Sequence, residues 1–266
     1  MDVPALAKLE HSNMIAALVA GGSQVRGARV ERADGVALIA TGLPLRLFNQ
    51  VLVEDDDARP EAVAAALGVT RGRGDRFIVS LRSGTDDRFH VLMDELGLVK
   101  VSDGPWMPGM ALHPLPPAGM TPVAVGHEIR RVETAAGVDD HVHAAAEGFE
   151  MPRSWLDAIV TVGLAALPGA SLYVGYDDDV PVTAGLGIRT GRTIGVYNIA
   201  TIPAARRRGY GAAMTMRIVD DGAAAGCDVA ILQASDMGRP IYERLGFRTV
   251  VEYVGFVDPA SLEPSA

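Results

Sequence analysis

Three arginines and two glycines, Arg206, Arg207, Arg208, Gly209 and Gly211, fall between two segments of opposite character. Residues 197–202 alternate and stop at Pro203, which cannot donate to a sheet ladder, so they read as the end of a strand. From Ala212 the composition is helical as far as Gly226, a natural C-cap residue. Glycine in such a turn lets backbone N–H groups approach a ligand with no Cβ in the way. The helix N-terminus behind it adds unpaired donors and partial positive charge. Together these suit a phosphate or pyrophosphate. The ATP-binding P-loop is excluded, because it needs a lysine after its second glycine and the only lysines are Lys8 and Lys100. The dinucleotide pattern Gly-x-Gly-x-x-Gly fails as well, since position 214 is Met.

What Arg206-Arg207-Arg208-Gly209-Tyr210-Gly211 resembles is motif A of the GNAT superfamily of acyl-CoA N-acyltransferases, Gln/Arg-x-x-Gly-x-Gly/Ala. A strand ending in Thr201-Ile202-Pro203 precedes it. Tyr242-Glu243-Arg244-Leu245-Gly246-Phe247 follows, similar to the family's Tyr-x-x-Leu-Gly-Phe block. The alternative, an arginine-rich surface turn before an ordinary helix, accounts for neither neighbour.

The resemblance implies a set of roles. Acetyl-CoA, as co-substrate, would lay its pyrophosphate on the backbone N–H groups of Arg207, Arg208, Gly209, Tyr210, Gly211 and Ala212, with Arg206 opening the loop. Its pantetheine arm would run along Asn198, Ile199, Ala200 and Thr201. A strand N–H near Ile199 would hold the oxyanion. Tyr242 would protonate the departing sulfur, a role suited to a phenol whose ordinary pKa keeps it protonated at neutral pH; the alternative is an amphipathic-helix residue with its OH at the surface. Ser235 stands where relatives contact CoA, and it could equally cap the helix that follows. No carboxylate lies on the strand 196–202 where many relatives carry a glutamate. Glu147 and Glu150 are candidates to act through water, solvated loop charges being the other reading. Phe149 and Trp155 fall in the region of the acceptor cleft. His141 and His143, two apart on a helix, point away from each other, so they read as surface residues and no metal is expected.

Around these residues the second part of the chain reads as a strand at 128–133, helices at 139–147 and 154–166, and strands at 172–176, 182–189 and 193–202. The helix after Gly209, a strand at 228–233, a helix at 238–245 and a strand or tight pair at 248–257 complete it. This is the GNAT order, although the family closes with two strands and only about ten residues remain here. The first part reads as a helix to Gly22, strands at 29–39 and 43–53 with turns at Asp34-Gly35 and Gly42, and a helix opened by Pro60. A strand at 77–81, a helix at 87–96 and a broken β pair at 99–112 follow. Four prolines between His113 and Gly126 mark a linker.

The two parts look like copies. Phe48-Asn49 pairs with Tyr197-Asn198 and Leu96-Gly97 with Leu245-Gly246, and Asn to Gly spans 48 residues in each, 49 to 97 and 198 to 246. At that offset the first copy places Glu54, Asp55, Asp56, Asp57 and Pro60 at the loop, Ala62 for Gly211 and Met93 for Tyr242. Carboxylates repel a diphosphate and proline has no N–H to offer. The expectation is α/β architecture of two tandem GNAT-like domains, each a mixed, mostly antiparallel twisted sheet flanked by helices. Residues 1–118 would be the degenerate copy, 119–126 the linker and 127–266 the catalytic domain.

Composition frames this reading. The chain has 266 residues, 48% hydrophobic and 21% charged. A net charge of -9 argues against nucleic acid as partner, which requires a basic face. The single Cys227 excludes an internal disulfide and suits a reducing compartment. The longest apolar run, 155–167, is interrupted by Asp157 and too short for a bilayer, so it reads as a core helix with no membrane involvement. No signal peptide is evident, and a cytoplasmic protein is expected. The function expected is an acetyl-CoA-dependent N-acetyltransferase acting on an unidentified amine, with a homodimer left open. The alternative is an acyl-CoA-binding sensor without turnover.

Overall fold

The computed structural model describes residues 1–102, 106–117 and 127–262. The proposed linker 119–126 and the boundary at 118 lie outside the described residues. Helix α1 (Val3–Gly22) is capped by Asp2, whose carboxylate accepts from Ala5 N at 3.0 Å. A hairpin follows, β1 (Arg29–Ala33) and β2 (Val36–Ala40), turning at Asp34 and Gly35, both at positive φ. Next come β3 (Asn49–Val53), α2 (Pro60–Arg73), β4 (Ile78–Arg82), α3 (His90–Glu95), β5 (Val99–Lys100) and β6 (Met107–Leu112).

The remainder begins with β7 (His127–Arg131), α4 (Ala135–Phe149), α5 (Arg153–Ile159) and α6 (Val162–Ala165). The meander β8 (Ala170–Asp177), β9 (Val180–Thr190) and β10 (Thr193–Thr201) leads to α7 (Tyr210–Ala224), β11 (Val229–Gln233), α8 (Arg239–Arg244) and β12 (Arg248–Val257). Among the described residues no helix is long and apolar enough to cross a membrane.

All strands join one sheet in the order β1-β2-β3-β4-β12-β6-β11-β10-β9-β8-β7, with β5 beside β12. Among the described residues only β3–β4 and β10–β11 pair in parallel, each joined by a helix crossover. Helices α4 to α6 bury one face of β8 and β9, and α7 packs with β10 and β11 on Met214, Ile218 and Val219. Helices α2 and α3 cover β2 to β4. Helix α1 lies across the seam, against β2, β6, β9, β10, β11 and β12.

The centre of the sheet holds an exchange. Strand β6 pairs with β11, Ala111 opposite Ile231, while β12 pairs with β4, Tyr253 opposite Arg82. Each half is thus completed by a strand from the other. This corrects two expectations. The strands at 99–100 and 107–112 do not pair with each other but with β12, and the place of a missing closing strand beside β11 is filled by β6.

Three other expectations need correction. Residues 43–48 are not strand, because the buried Asn49 side chain accepts from Thr41 N and Gly42 N and donates to the carbonyls of Leu43, Leu45 and Arg76, which folds the segment into a turn. The helix expected at 154–166, read as one core helix over 155–167, breaks at Val160. There Thr161 turns extended and caps α6 by accepting from Leu164 N at 3.0 Å. The Asn49–Asn198 match is not a structural equivalence. Gln50 faces Ile78 where Thr193 faces Val229, so by register Gln50 corresponds to Thr193, and β10 runs on well past the end of its counterpart. Gly97 and Gly246, both left-handed, do occupy matching places after α3 and α8.

Candidate active site

Strand β10 leaves β11 after Gly195, the last residue with a parallel partner. Its pairing with β9 jumps from Tyr197 to Ala200, with Asn198 at φ 54 between them, a β-bulge that turns backbone groups away from the ladder. Asn198 Nδ2 donates to His141 Nε2 at 2.8 Å, and His141 Nδ1 donates to the Tyr173 carbonyl at 3.0 Å. Burial lowers the His141 pKa to about 4, so the ring stays neutral and the bulge is held by an uncharged chain of hydrogen bonds. His141 is therefore a buried bulge anchor, correcting its reading as a surface residue, whereas His143 is exposed.

Beyond Thr201 the chain reaches α7 through a loop with Arg207 at φ 65 and Gly209 at φ 84. The first bond of the helix end runs from Ala213 N to the Gly209 carbonyl, leaving the Gly211 and Ala212 N–H groups without an intrahelical acceptor. A Cβ at Gly209 would meet nothing within 4 Å, so what demands glycine there is the backbone angle. At Gly211 a Cβ would touch Thr201 Oγ1 at 3.5 Å, an ordinary contact.

The three arginines part company. Arg206 bonds Gly148 O and Glu150 Oε1, both at 2.8 Å, and Thr201 O at 3.3 Å, clamping the loop to the C-terminus of α4. Arg208 pairs with Asp177 at 2.5 Å and lies over the Tyr210 ring. Arg207 is exposed, with no ion pair to the described residues. The Tyr210 side chain is buried with Val182 and Ala205, away from solvent, so its place at the loop is through backbone only.

A cavity of about 470 Å³ fills the splay between β10 and β11. Val196, Asn198 and Ile199 line it on one side and Gln233, Ser235 and Tyr242 on the other. Burial pushes the Tyr242 pKa up to about 12, so the phenol is protonated at any ordinary pH. Ser235 does both things considered for it: it lines the cavity, and its Oγ accepts from Gly238 N at 3.2 Å. Ala200 and Thr201 continue β10 toward the loop and do not line the cavity.

The remaining wall comes from places the sequence did not connect. Met14 and Leu18 of α1, Phe48 and Gln50 of the first half, and Trp106 face α5 and α6 across the space. Phe149 lines it; Trp155 does not. Among the described residues the wall holds no charged side chain. Glu147 is exposed and outside it, and Glu150 is engaged by Arg206. A buried carboxylate, Glu10 of α1, stands behind Gln233 of the wall. It accepts from Gln233 Nε2 at 2.5 Å and Tyr253 OH at 2.7 Å, and burial raises its pKa to about 7.

Residues 168–249 match the protein-family model described as an acetyltransferase (GNAT) domain. No curated protein matches the chain. Among solved structures, a GCN5-related N-acetyltransferase from Kribbella flavida superposes with a TM-score of 0.69 at 19% identity, covering 96% of each chain. One from Sphaerobacter thermophilus gives 0.60 at 15%, covering 85% of this chain and 81% of that one. A tandem GNAT protein from the clavulanic acid biosynthesis pathway gives 0.57 at 14%, covering 91% and 86%. The mixed, mostly antiparallel sheet flanked by helices is the GNAT fold, tandem members included.

Proposed function

We propose that the protein transfers an acetyl group from acetyl-CoA to a primary amine by direct attack on the thioester. The observation that carries this reading is the cavity at the point where β10 parts from β11, lined by Asn198, Ile199 and Tyr242, with β10 running on past Thr201 to the glycine loop outside it. In this reading the pyrophosphate rests on N–H groups of residues 207–212, and the pantetheine arm pairs with Asn198–Thr201. The oxyanion is held by a bulge N–H near Ile199. Tyr242 gives its proton to the leaving sulfur; the shift to about 12 leaves it a weaker acid in solution, yet still a better donor than water.

The first half serves as a degenerate copy, with residues 127–266 as the catalytic domain. Its corresponding loop carries Glu54, paired with Arg32, and the exposed Asp55, Asp56 and Asp57 before Pro60. Such a loop repels a diphosphate, so one CoA binds per chain. Acetyl-CoA consumption over an amine panel, read as thiol release, tests the reaction. Calorimetric titration of the intact chain tests the stoichiometry; two sites per chain would contradict the assignment. Acetyl-CoA binding without thiol release over a broad panel would favour the sensor alternative.

A further inference from the structure

Resting on the acyl-transfer reading, we propose that the acceptor is an apolar amine that is uncharged at neutral pH, an arylamine, with its hydrocarbon body between α1 and the α5–α6 wall. Met14 and Leu18 form one side of that space, Phe48 its end, and Leu156 and Ile159 the other side.

Two independent observations converge. The wall has no charged side chain among the described residues, so an ammonium ion entering it would lose water and gain no counter-ion. No carboxylate is placed to take a proton from such an ion either. Glu150 is held by Arg206, Glu147 lies outside, and Glu10 is closed off behind Gln233 and Tyr253. An arylamine avoids both difficulties, because its lone pair is delocalised into the ring and it arrives neutral.

Most polar groups of the wall are already engaged within the protein. Thr41 donates to Asn49, Gln50 donates to Leu47 O and accepts from Ser80, and Tyr197 donates to Asn13. Gln233 and Asn198 line the cavity beside the splay, and with their amide nitrogens given to Glu10 and His141 each keeps a carbonyl oxygen that can accept. They are the acceptors for the amine N–H groups. The step balances without an external base. The amine nitrogen bonds to the thioester carbon, the C–S bond breaks, and Tyr242 gives its proton to sulfur. The proton shed by the new amide nitrogen returns to the Tyr242 oxygen.

The test compares two isomers on the intact chain, para-butylaniline and phenylbutylamine, with a lysine peptide and an aminoglycoside. Acetyl-CoA affinity is measured separately by calorimetry. The arylamine should exceed its alkylamine isomer in kcat/KM by about tenfold or more at neutral pH, the gap closing as rising pH neutralises the alkylamine. Leu18→Glu, which puts a carboxylate into the wall, should shift preference toward phenylbutylamine with acetyl-CoA affinity unchanged. If acetyl-CoA binds and a cationic amine is preferred, or no arylamine reacts, the inference is overturned while acyl transfer itself can stand. Failure of acetyl-CoA to bind overturns both.

Discussion

Gln233, the last residue of β11, donates to Glu10 of α1 across 2.5 Å, so the cavity wall in one half is tied to a carboxylate carried by the other. The Glu10 neighbourhood is polar but closed. Tyr253 OH reaches Glu10 and also lies 2.9 Å from His11 Nδ1, His11 Nε2 donates to Val53 O at 2.7 Å, and Arg82 pairs with Asp86 nearby. Burial lowers the His11 pKa to about 4, so Glu10 is the member of this group that titrates near neutrality.

Stability should register that titration. The folded pKa of Glu10, about 7, lies above the ordinary 4.5, so the folded chain keeps a proton that the unfolded chain releases. Stability from this group is present below about pH 4.5 and falls as pH rises through about 7. Glu10→Gln should remove a decline on the order of 3 kcal/mol between those limits. Urea unfolding of both proteins at mildly acidic and mildly alkaline pH measures it; equal declines would clear Glu10 of the effect.

The two glycines of the loop should respond differently. Gly209→Val forces a β-branched residue to φ 84 and should abolish CoA binding while the rest of the chain folds. Gly211→Ala meets only Thr201 Oγ1 at 3.5 Å and Ile199 Cγ2 at 3.8 Å, so affinity should stay within about threefold. Calorimetry with CoA decides both, and full affinity in Gly209→Val would displace the pyrophosphate from this loop.

Tyr242→Phe should slow the chemical step by about 10²–10⁴-fold with little change in acetyl-CoA affinity. The ring keeps its edge contact with Phe247, so the fold has no reason to shift. Single-turnover kinetics is the suitable measurement. A chemical step as fast as in the parent would remove Tyr242 from the mechanism.

Neither half should survive alone. Without residues 1–118, β11 loses β6 and exposes a long apolar edge, Val229, Ala230, Ile231 and Leu232, to which other chains can add. The fragment 127–266 is expected to aggregate, and co-expressing the first half should restore a soluble complex. A soluble, cooperatively unfolding fragment, followed by circular dichroism, would count against the exchange as a stabilising element.

How much of this was legible depended on range. The glycine loop, the capped helix α7 and Tyr242 are encoded within some fifty residues, where turn chemistry and periodicity suffice, and the element order followed from them. The cavity was not legible, because Met14, Phe48, Trp106 and Ile159 meet only once distant strands have paired. His141 is misplaced by its spacing from His143: two residues two apart on a helix point away from each other, which leaves one of them free to turn inward, and on α4 that one is His141, facing Asn198. The equal spacing of Asn49 and Asn198 misled for the same reason, since spacing along the chain does not carry the register between parallel strands.

The exchanged strands also set an order in time. Strand β4 is made well before its neighbour β12, with the strands of the second half between them, so the first half waits on the ribosome with its sheet open on one side. Contacts so distant along the chain close slowly. During that interval β6 is the strand available next to β4 and β5 in sequence, and a first half that paired them directly would be complete too soon. Releasing that premature pairing to admit β12 would then limit the rate at which the cavity forms, placing the last step of folding at the wall of the site.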